Sequence, residues 1–424
     1  MSTPTYRSLQ RFLSPAALKA FPPENASDRS VSSEWLYHKY QSYTTVQEPG
    51  REDGLRVGAH HSLDRVVYDH IYAYGPPIDA QDYAWHAQLA QYTQYRALVE
   101  SYLLHQWEYY SAVFFWKSQS PWPTLRGALY DYYLDQTGGY WGVRCAAHST
   151  VHVQLNPSTL TVSVINRSRR LALVVLSALV EVQVFDVFGE VLHRESVTVQ
   201  NLHERSVWTA DSPIQWKWPV ARGEVYFFRL RLLSEESTGG GAVSLESRQR
   251  VGNLYWLTSP RTRNTPGDLK RLGELRASQR VTLEVHCTLL RLSKEKISVS
   301  VRMTNPTVAP WIAFMVRVQL LSSLDWSIYR DVEGRPEIAK KVIDERVLPT
   351  WYSDNYVTLL PGETAEIELY FRPGRSKGHL VDRLLEKMMI HRGGGANGYD
   401  DPSSMLEVEV DGWNISPQIY SVKF

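Results

Sequence analysis

The sequence predicts a mixed fold: a mostly helical or irregular N-terminal zone with one α/β step, followed by two antiparallel β-sandwiches. Three observations predict it. The apolar period is helical before about Arg144 and switches to two after it. Turn residues separate the period-two runs at short intervals, the pattern of a sandwich. One long helical pattern also runs straight into the continuously apolar SAVFFW (Ser111–Trp116), which predicts a buried strand of a parallel sheet.

In the first zone, Thr3 before Pro4 predicts a helix N-cap with proline at the first helical position. Leu9, Phe12 and Leu13 then form a short apolar face. Pro22–Ser33 and Gln47–His61 are loops by composition. Asp79–Tyr110 is the strongest helix, with Tyr92, Tyr95, Leu98, Val99, Tyr102 and Leu103 at three- and four-residue spacing and Asp79 as its cap.

The second zone places strands at Val151–Leu155, Thr161–Ile165, Val180–Phe188, Val225–Leu232 and Asn253–Leu257. STGGG near Gly239 marks a hairpin tip or flexible loop, and Ser259–Ser278 reads as a polar linker. The third zone places strands at Val281–His286, Ile297–Met303, Trp311–Leu320, Val357–Leu360, Ala365–Phe371 and Leu406–Trp413. A long insertion separates the last two.

Composition narrows the partners. The chain of 424 residues suggests about two to four domains. Lys plus Arg is 46 against 45 for Asp plus Glu, so no basic excess points to nucleic acid or anionic lipid. No segment approaches ~18 uninterrupted apolar residues, so none is expected to span a membrane. The 14 tryptophans and 25 tyrosines suit a large β core, and also aromatic faces that cover sugar rings. Cys145 and Cys287 have no metal-type spacing and read as free thiols, with a single disulfide left open. Sequons at Asn25, Asn166 and Asn414 hint at a vacuolar or secretory route.

Chemistry is harder to place. The sequence has no Gly-rich phosphate loop and no G-x-S-x-G elbow. His60–His61 lies in a loop with no third ligand nearby, so neither a metal nor another cofactor is expected. His38 and Lys39, in the aromatic WLYHKY, face either a ligand or ordinary packing. A glycosidase needs two carboxylates across the scissile bond. Glu100 and Glu108 sit on the long helix, and Asp131 and Asp135 in a connection, so none forms a credible pair.

One stretch carries more. WKSQSPWPTLRGALYDYYLDQTGGYWGVRCAAHSTVHVQLNP, from Trp116, resembles a block of family-two glycoside hydrolases, with the endo-β-mannosidase branch nearest and exo-β-glucosaminidases behind it. SEWLYHKYQSY, WHAQLAQYTQYRALVE and LPTWYSDNYVTLLPGET resemble flanking family segments. The resemblance implies the end of a (β/α)8-barrel over 1–144, an immunoglobulin-like sandwich over 145–260, a linker over 261–280 and a second immunoglobulin-like sandwich over 281–424. SAVFFW would be the last barrel strand, and active sites of such barrels lie at the C-terminal ends of strands. Trp116 would then stack on a mannose-containing glycan, with Lys117, Gln119 and Trp122 on the same rim and His38 nearby. The insertion around 381–404 departs from the family pattern.

The same resemblance implies that both catalytic glutamates lie upstream of Met1, in the same chain or a companion chain. It makes the chain the C-terminal portion of a retaining β-mannosidase acting in N-glycan breakdown. Met1–Arg144 is then expected to be poorly stable alone, with both sandwiches able to fold independently. The alternative is a non-catalytic sandwich protein that binds glycan or a subunit through Trp311 and Trp351.

Overall fold

The computed structural model describes residues 3–21, 32–38, 43–47, 55–59, 70–125, 129–168, 175–219, 224–234, 252–259, 269–278, 281–293, 295–309, 311–322, 346–373 and 406–423. Short helices Tyr6–Leu9 (α1), Pro15–Lys19 (α2) and Ser33–Tyr37 (α3) open the chain, and a hairpin pairs Tyr43–Gln47 (β1) with Leu55–Ala59 (β2). The cap expected at Thr3 is displaced: α1 starts after Thr5, and the Thr3 carbonyl instead accepts the amides of Gln88 and Gln91. The Ser-Pro pair that does cap a helix is Ser14–Pro15, whose Oγ accepts from Ala17 N at 3.1 Å.

The long helix forms over Ala80–Leu104 (α4), six residues shorter at its C-terminus than the pattern suggests. Asp79 caps it, accepting from Asp82 N at 2.7 Å. Residues from Ala80 to Tyr92, Gln81 apart, are buried, so its first half is covered on all sides rather than along one stripe. A second helix, Gly138–Ala147 (α5), escapes the sequence reading because it begins Gly-Gly. Those glycines have a packing role. A Cβ on Gly138 would sit 2.1 Å from the Gln88 carbonyl oxygen, and one on Gly142 would sit 2.2 Å from that of Tyr92. The two backbones therefore touch, which only glycine allows.

SAVFFW is not a strand, contrary to expectation. Its backbone is irregular, Phe114 is 94 % exposed and Trp116 97 % exposed. A strand is held by hydrogen bonds to neighbouring strands, not by its own apolarity, and among the described residues no strand flanks it. Phe115 stacks at 6.2 Å on Tyr95 of α4.

The middle sandwich packs a sheet of Val151–Asn156 (β3), Thr161–Asn166 (β4) and Ser206–Thr209 (β7) on one of Val191–Leu202 (β6), Val175–Phe185 (β5), Val225–Ser234 (β8) and Gly252–Thr258 (β9), in that spatial order. Tyr226, Phe228, Leu230 and Leu232 of β8 face its own core with Val153, Val164 and Tyr255. Val225 and Phe227 face the other way, into a second core. That is why the run is nearly continuous in apolar residues: both faces of its sheet are covered.

The C-terminal sandwich stacks Glu284–Leu292 (β10), Ile297–Thr304 (β11), Thr364–Phe371 (β15) and Trp351–Tyr352 (β13) on Val357–Leu359 (β14), Ala313–Ser322 (β12), Leu406–Gly412 (β16) and Ile415–Ser421 (β17). Its core is continuous with that of the helical zone. Leu9, Trp35, Tyr83 and Trp141 belong to one apolar cluster with Val301, Phe314 and Val408. Phe314 meets Phe227 at 5.3 Å and Trp256 at 5.0 Å. The helical zone and the C-terminal sandwich thus share one apolar core.

The expected linker is also more than a linker. Lys270–Ser278 (α6) is a helix whose Leu272 and Leu275 are buried in that shared core. Trp413 Nε1 donates to the Leu272 carbonyl at 2.6 Å. Both cysteines are free. The insertion around 381–404, the STGGG segment, Asn25 and His60–His61 lie outside the described residues.

Candidate functional site

Of the five site residues expected from the sequence, two meet directly. His38 at the end of α3 stacks on Trp122 at 5.7 Å and 25°, with Phe12 at 4.5 Å on its other contact. Its Nδ1 lies 2.8 Å from the Pro123 carbonyl, and its own carbonyl accepts from Leu125 N at 2.9 Å and Thr124 Oγ1 at 3.2 Å. These bonds tie the turn that carries Trp122 to the end of α3. Tyr37 closes the cluster edge-on, 5.8 Å from Trp122.

The other three line the approach. Trp116 stands in solvent, and the Trp116–Lys117 peptide is cis. Lys117 Nζ donates to the buried Ser120 Oγ at 3.0 Å, which points the lysine along the loop. Gln119 is exposed. With Phe114, these residues present an aromatic, polar-edged surface and no enclosed pocket. Flat aromatic rings beside amide and ammonium groups suit the C–H faces and hydroxyls of a sugar.

The carboxylates are committed elsewhere. Glu100 Oε1 accepts from Asn253 Nδ2 and Tyr255 OH, each at 2.8 Å, and His152 Nε2 lies 3.3 Å away. The neighbouring Arg96 lies 4.1 Å over the Tyr255 ring and donates to the Leu254 carbonyl at 2.5 Å. This buried knot ties α4 to β3 and β9. Asp135 Oδ2 accepts from Arg346 Nη1 and Thr5 Oγ1, both at 2.8 Å. Asp131 Oδ1 accepts from the backbone N–H groups of Tyr133 and Asp135. Burial, reinforced by the Asp135 charge, pushes Asp131 up to about 6. Glu108 is exposed and 3.9 Å from His105.

Two further readings change. Asn166 and Asn414 are fully buried, their amides donating to the carbonyls of His203 and Ile312. A glycan acceptor must lie on the surface, so these two sequons are structural and lend no support to a secretory route. Trp311 is half-buried and stacks on Phe188 at 4.3 Å, where it joins the two sandwiches. Trp351 remains 36 % exposed, packed on Tyr370 at 4.9 Å.

Residues 333–382 match the exo-β-D-glucosaminidase Ig-fold domain. The chain is 28% identical over 366 residues to mannosylglycoprotein endo-β-mannosidase of Lilium longiflorum, covering 80% of this chain and 35% of the lily protein. It is 29% identical over 329 residues to an exo-β-D-glucosaminidase of Streptomyces avermitilis, covering 72% and 32%. The fold superposes on the exo-chitosanase of Amycolatopsis orientalis with a TM-score of 0.65 at 19% identity, over 99% of this chain and 41% of that one. The chain spans about a third of the length of the curated relatives it matches.

Proposed function

From a chain similar in sequence and in fold to the C-terminal part of family-two glycoside hydrolases, we propose that it serves a retaining hydrolase of β-mannosidic bonds in N-glycans. In this reading residues 1–144 complete a (β/α)8-barrel, and 145–260 and 281–424 are its two following immunoglobulin-like domains. Both catalytic carboxylates come from sequence outside these 424 residues, in the same polypeptide or a companion chain. The chain contributes the rim: Trp116 stacks on the sugar, Lys117 and Gln119 reach its hydroxyls, and Trp122 with His38 fixes the loop.

The observation that carries this reading is the contrast at the rim. Glu100 and Asp135 are locked into buried hydrogen-bond networks, whereas Phe114 and Trp116 are almost wholly in solvent. Aromatic surface of that kind, beside a helix-anchored tryptophan, marks a binding or docking face. The test replaces the aligned C-terminal segment of the lily relative with this chain and assays β-mannoside hydrolysis. Trp116→Ala in that fusion is expected to lower kcat/KM about tenfold, equivalent to ~1.4 kcal/mol of lost stacking, with thermal stability unchanged. An active fusion indifferent to Trp116→Ala would remove the rim from the reaction.

A further inference from the structure

The loop that carries Lys117, Gln119 and Trp122 is tied to a tight turn that follows it in the chain. The Ser118 carbonyl accepts from the N–H groups of Leu129 and Tyr130, each at 2.9 Å. Tyr130 and Gln136 close the turn with an antiparallel bridge. Asp131 organises its interior. The Asp131 N–H donates to the Asp135 carbonyl at 3.0 Å, and Asp131 Oδ1 accepts from Tyr133 N at 2.8 Å and Asp135 N at 3.0 Å.

The turn buries two carboxyl groups, and its hydrogen bonds serve one better than the other. Asp131 and Asp135 are both buried. Arg346 Nη1 and Thr5 Oγ1 donate to Asp135 Oδ2. Asp131 Oδ2 is buried and accepts no hydrogen bond. The other ionisable groups around the pair are Tyr133, with Arg11 4.0 Å over its ring, Tyr132, Tyr352 and Tyr356, and Arg317 of β12, which faces Asp411. An ionised carboxylate with one oxygen unsolvated in a core is costly, and protonation relieves it.

We propose that this turn is a proton-operated latch on the rim loop: a neutral Asp131 keeps it closed on the Ser118 carbonyl, and an ionised Asp131 favours its opening. Opening withdraws the Leu129 and Tyr130 donors from Ser118, which frees the loop. Burial raises the Asp131 carboxyl from 3.8 to about 6; the Asp135 charge adds to this, and Arg346, the Ser8 hydroxyl and the Asp135 N–H oppose it. In the open turn water reaches the carboxyl, which returns to its ordinary range. Between the two values the closed turn holds a proton and the open turn does not, so closure is favoured as pH falls through 6. The ratio of open to closed turn therefore drops about tenfold between about pH 7.5 and 5. The latch does not rest on the glycosidase reading, because it concerns what holds the loop and not what the loop touches.

Amide hydrogen exchange of the full chain, read at Leu129 and Tyr130, tests it. Once the intrinsic pH dependence of exchange is divided out, both amides should be about tenfold better protected at about pH 5 than at about pH 7.5. Asp131→Asn removes the charge and keeps Oδ1 for the two backbone donors, so its protection should be high at both pH values. Equal protection of the wild-type amides at the two pH values would overturn the proposal, and that measurement requires no variant to fold. A tenfold rise that persists in Asp131→Asn would overturn it as well, because the proton would then belong to another group, Asp411 foremost.

Discussion

Arg346 donates to Asp135 at 2.8 Å, with the arginine side chain fully buried and the aspartate nearly so. The pair joins the segment before β13 to the loop before α5, and Thr5 and Ser8 complete its hydrogen bonds. Removing one partner strands the other charge in the core. Asp135→Ala is therefore expected to destabilise the protein by about 3–5 kcal/mol, measured by urea unfolding. A loss below ~1 kcal/mol would show that the helical zone is not braced against the C-terminal sandwich.

The contact between α4 and α5 predicts a second effect. Gly142→Ala places a methyl group 2.2 Å from the Tyr92 carbonyl oxygen, a distance no packing tolerates. The helices must separate, at a cost of about 1–3 kcal/mol or more. Calorimetry of the variant should show a lower Tm. An unchanged Tm would mean that the helices are not in backbone contact.

The docking of α6 gives a third. Leu272 is fully buried against the C-terminal sandwich. Leu272→Ala should cost about 2–5 kcal/mol and expose the α6 segment to limited proteolysis. A freely hanging linker would give neither result.

Acid should loosen the same seam. His86 stacks at 5.1 Å on Trp413, with Tyr74 at 5.7 Å, Asp82 at 3.5 Å from Nε2 and the Ile71 carbonyl at 3.2 Å from Nδ1. Burial, opposed by Asp82 and assisted by Arg276, lowers its pKa from 6.5 to about 4. Between these values the unfolded chain binds the proton and the folded chain does not, so stability falls as pH drops from about 6.5 to 4. The two-and-a-half-unit gap corresponds to about 3 kcal/mol. Asp131 and Asp411, both raised to about 6, oppose it by taking up protons in the folded state as pH falls through 6. The histidine contribution is isolated by comparing wild type with His86→Gln. The stability advantage of wild type should shrink over that window; a difference independent of pH would contradict the assignment.

Much of the β architecture was legible because alternation is a local signal: VHVQL, ISVSVRM and AEIELYF each stand within a residue or two of their observed strands. β6 was missed because its VLHRESVTVQNL is half exposed and rich in polar residues on its outer face. α5 and α6 were missed for different reasons. Gly-Gly reads as a turn when the neighbouring helix is not in view, and α6 is polar apart from the few leucines that dock. SAVFFW misled in the opposite direction, because an apolar run says nothing of whether a strand lies beside it. At the rim, the resemblance named Trp116 and Trp122, but only the coordinates show His38 stacking on one while the other stands free.

The central claim is that these 424 residues supply a substrate rim and scaffold but not the carboxylates that break the bond. The direct measurement is hydrolysis of a β-mannoside by the purified chain, assayed alone and then fused behind the upstream part of the lily relative. The account predicts no hydrolysis above the uncatalysed rate from the chain alone, and turnover from the fusion. Turnover by the isolated chain, abolished by Glu100→Gln or Asp135→Asn, would contradict it.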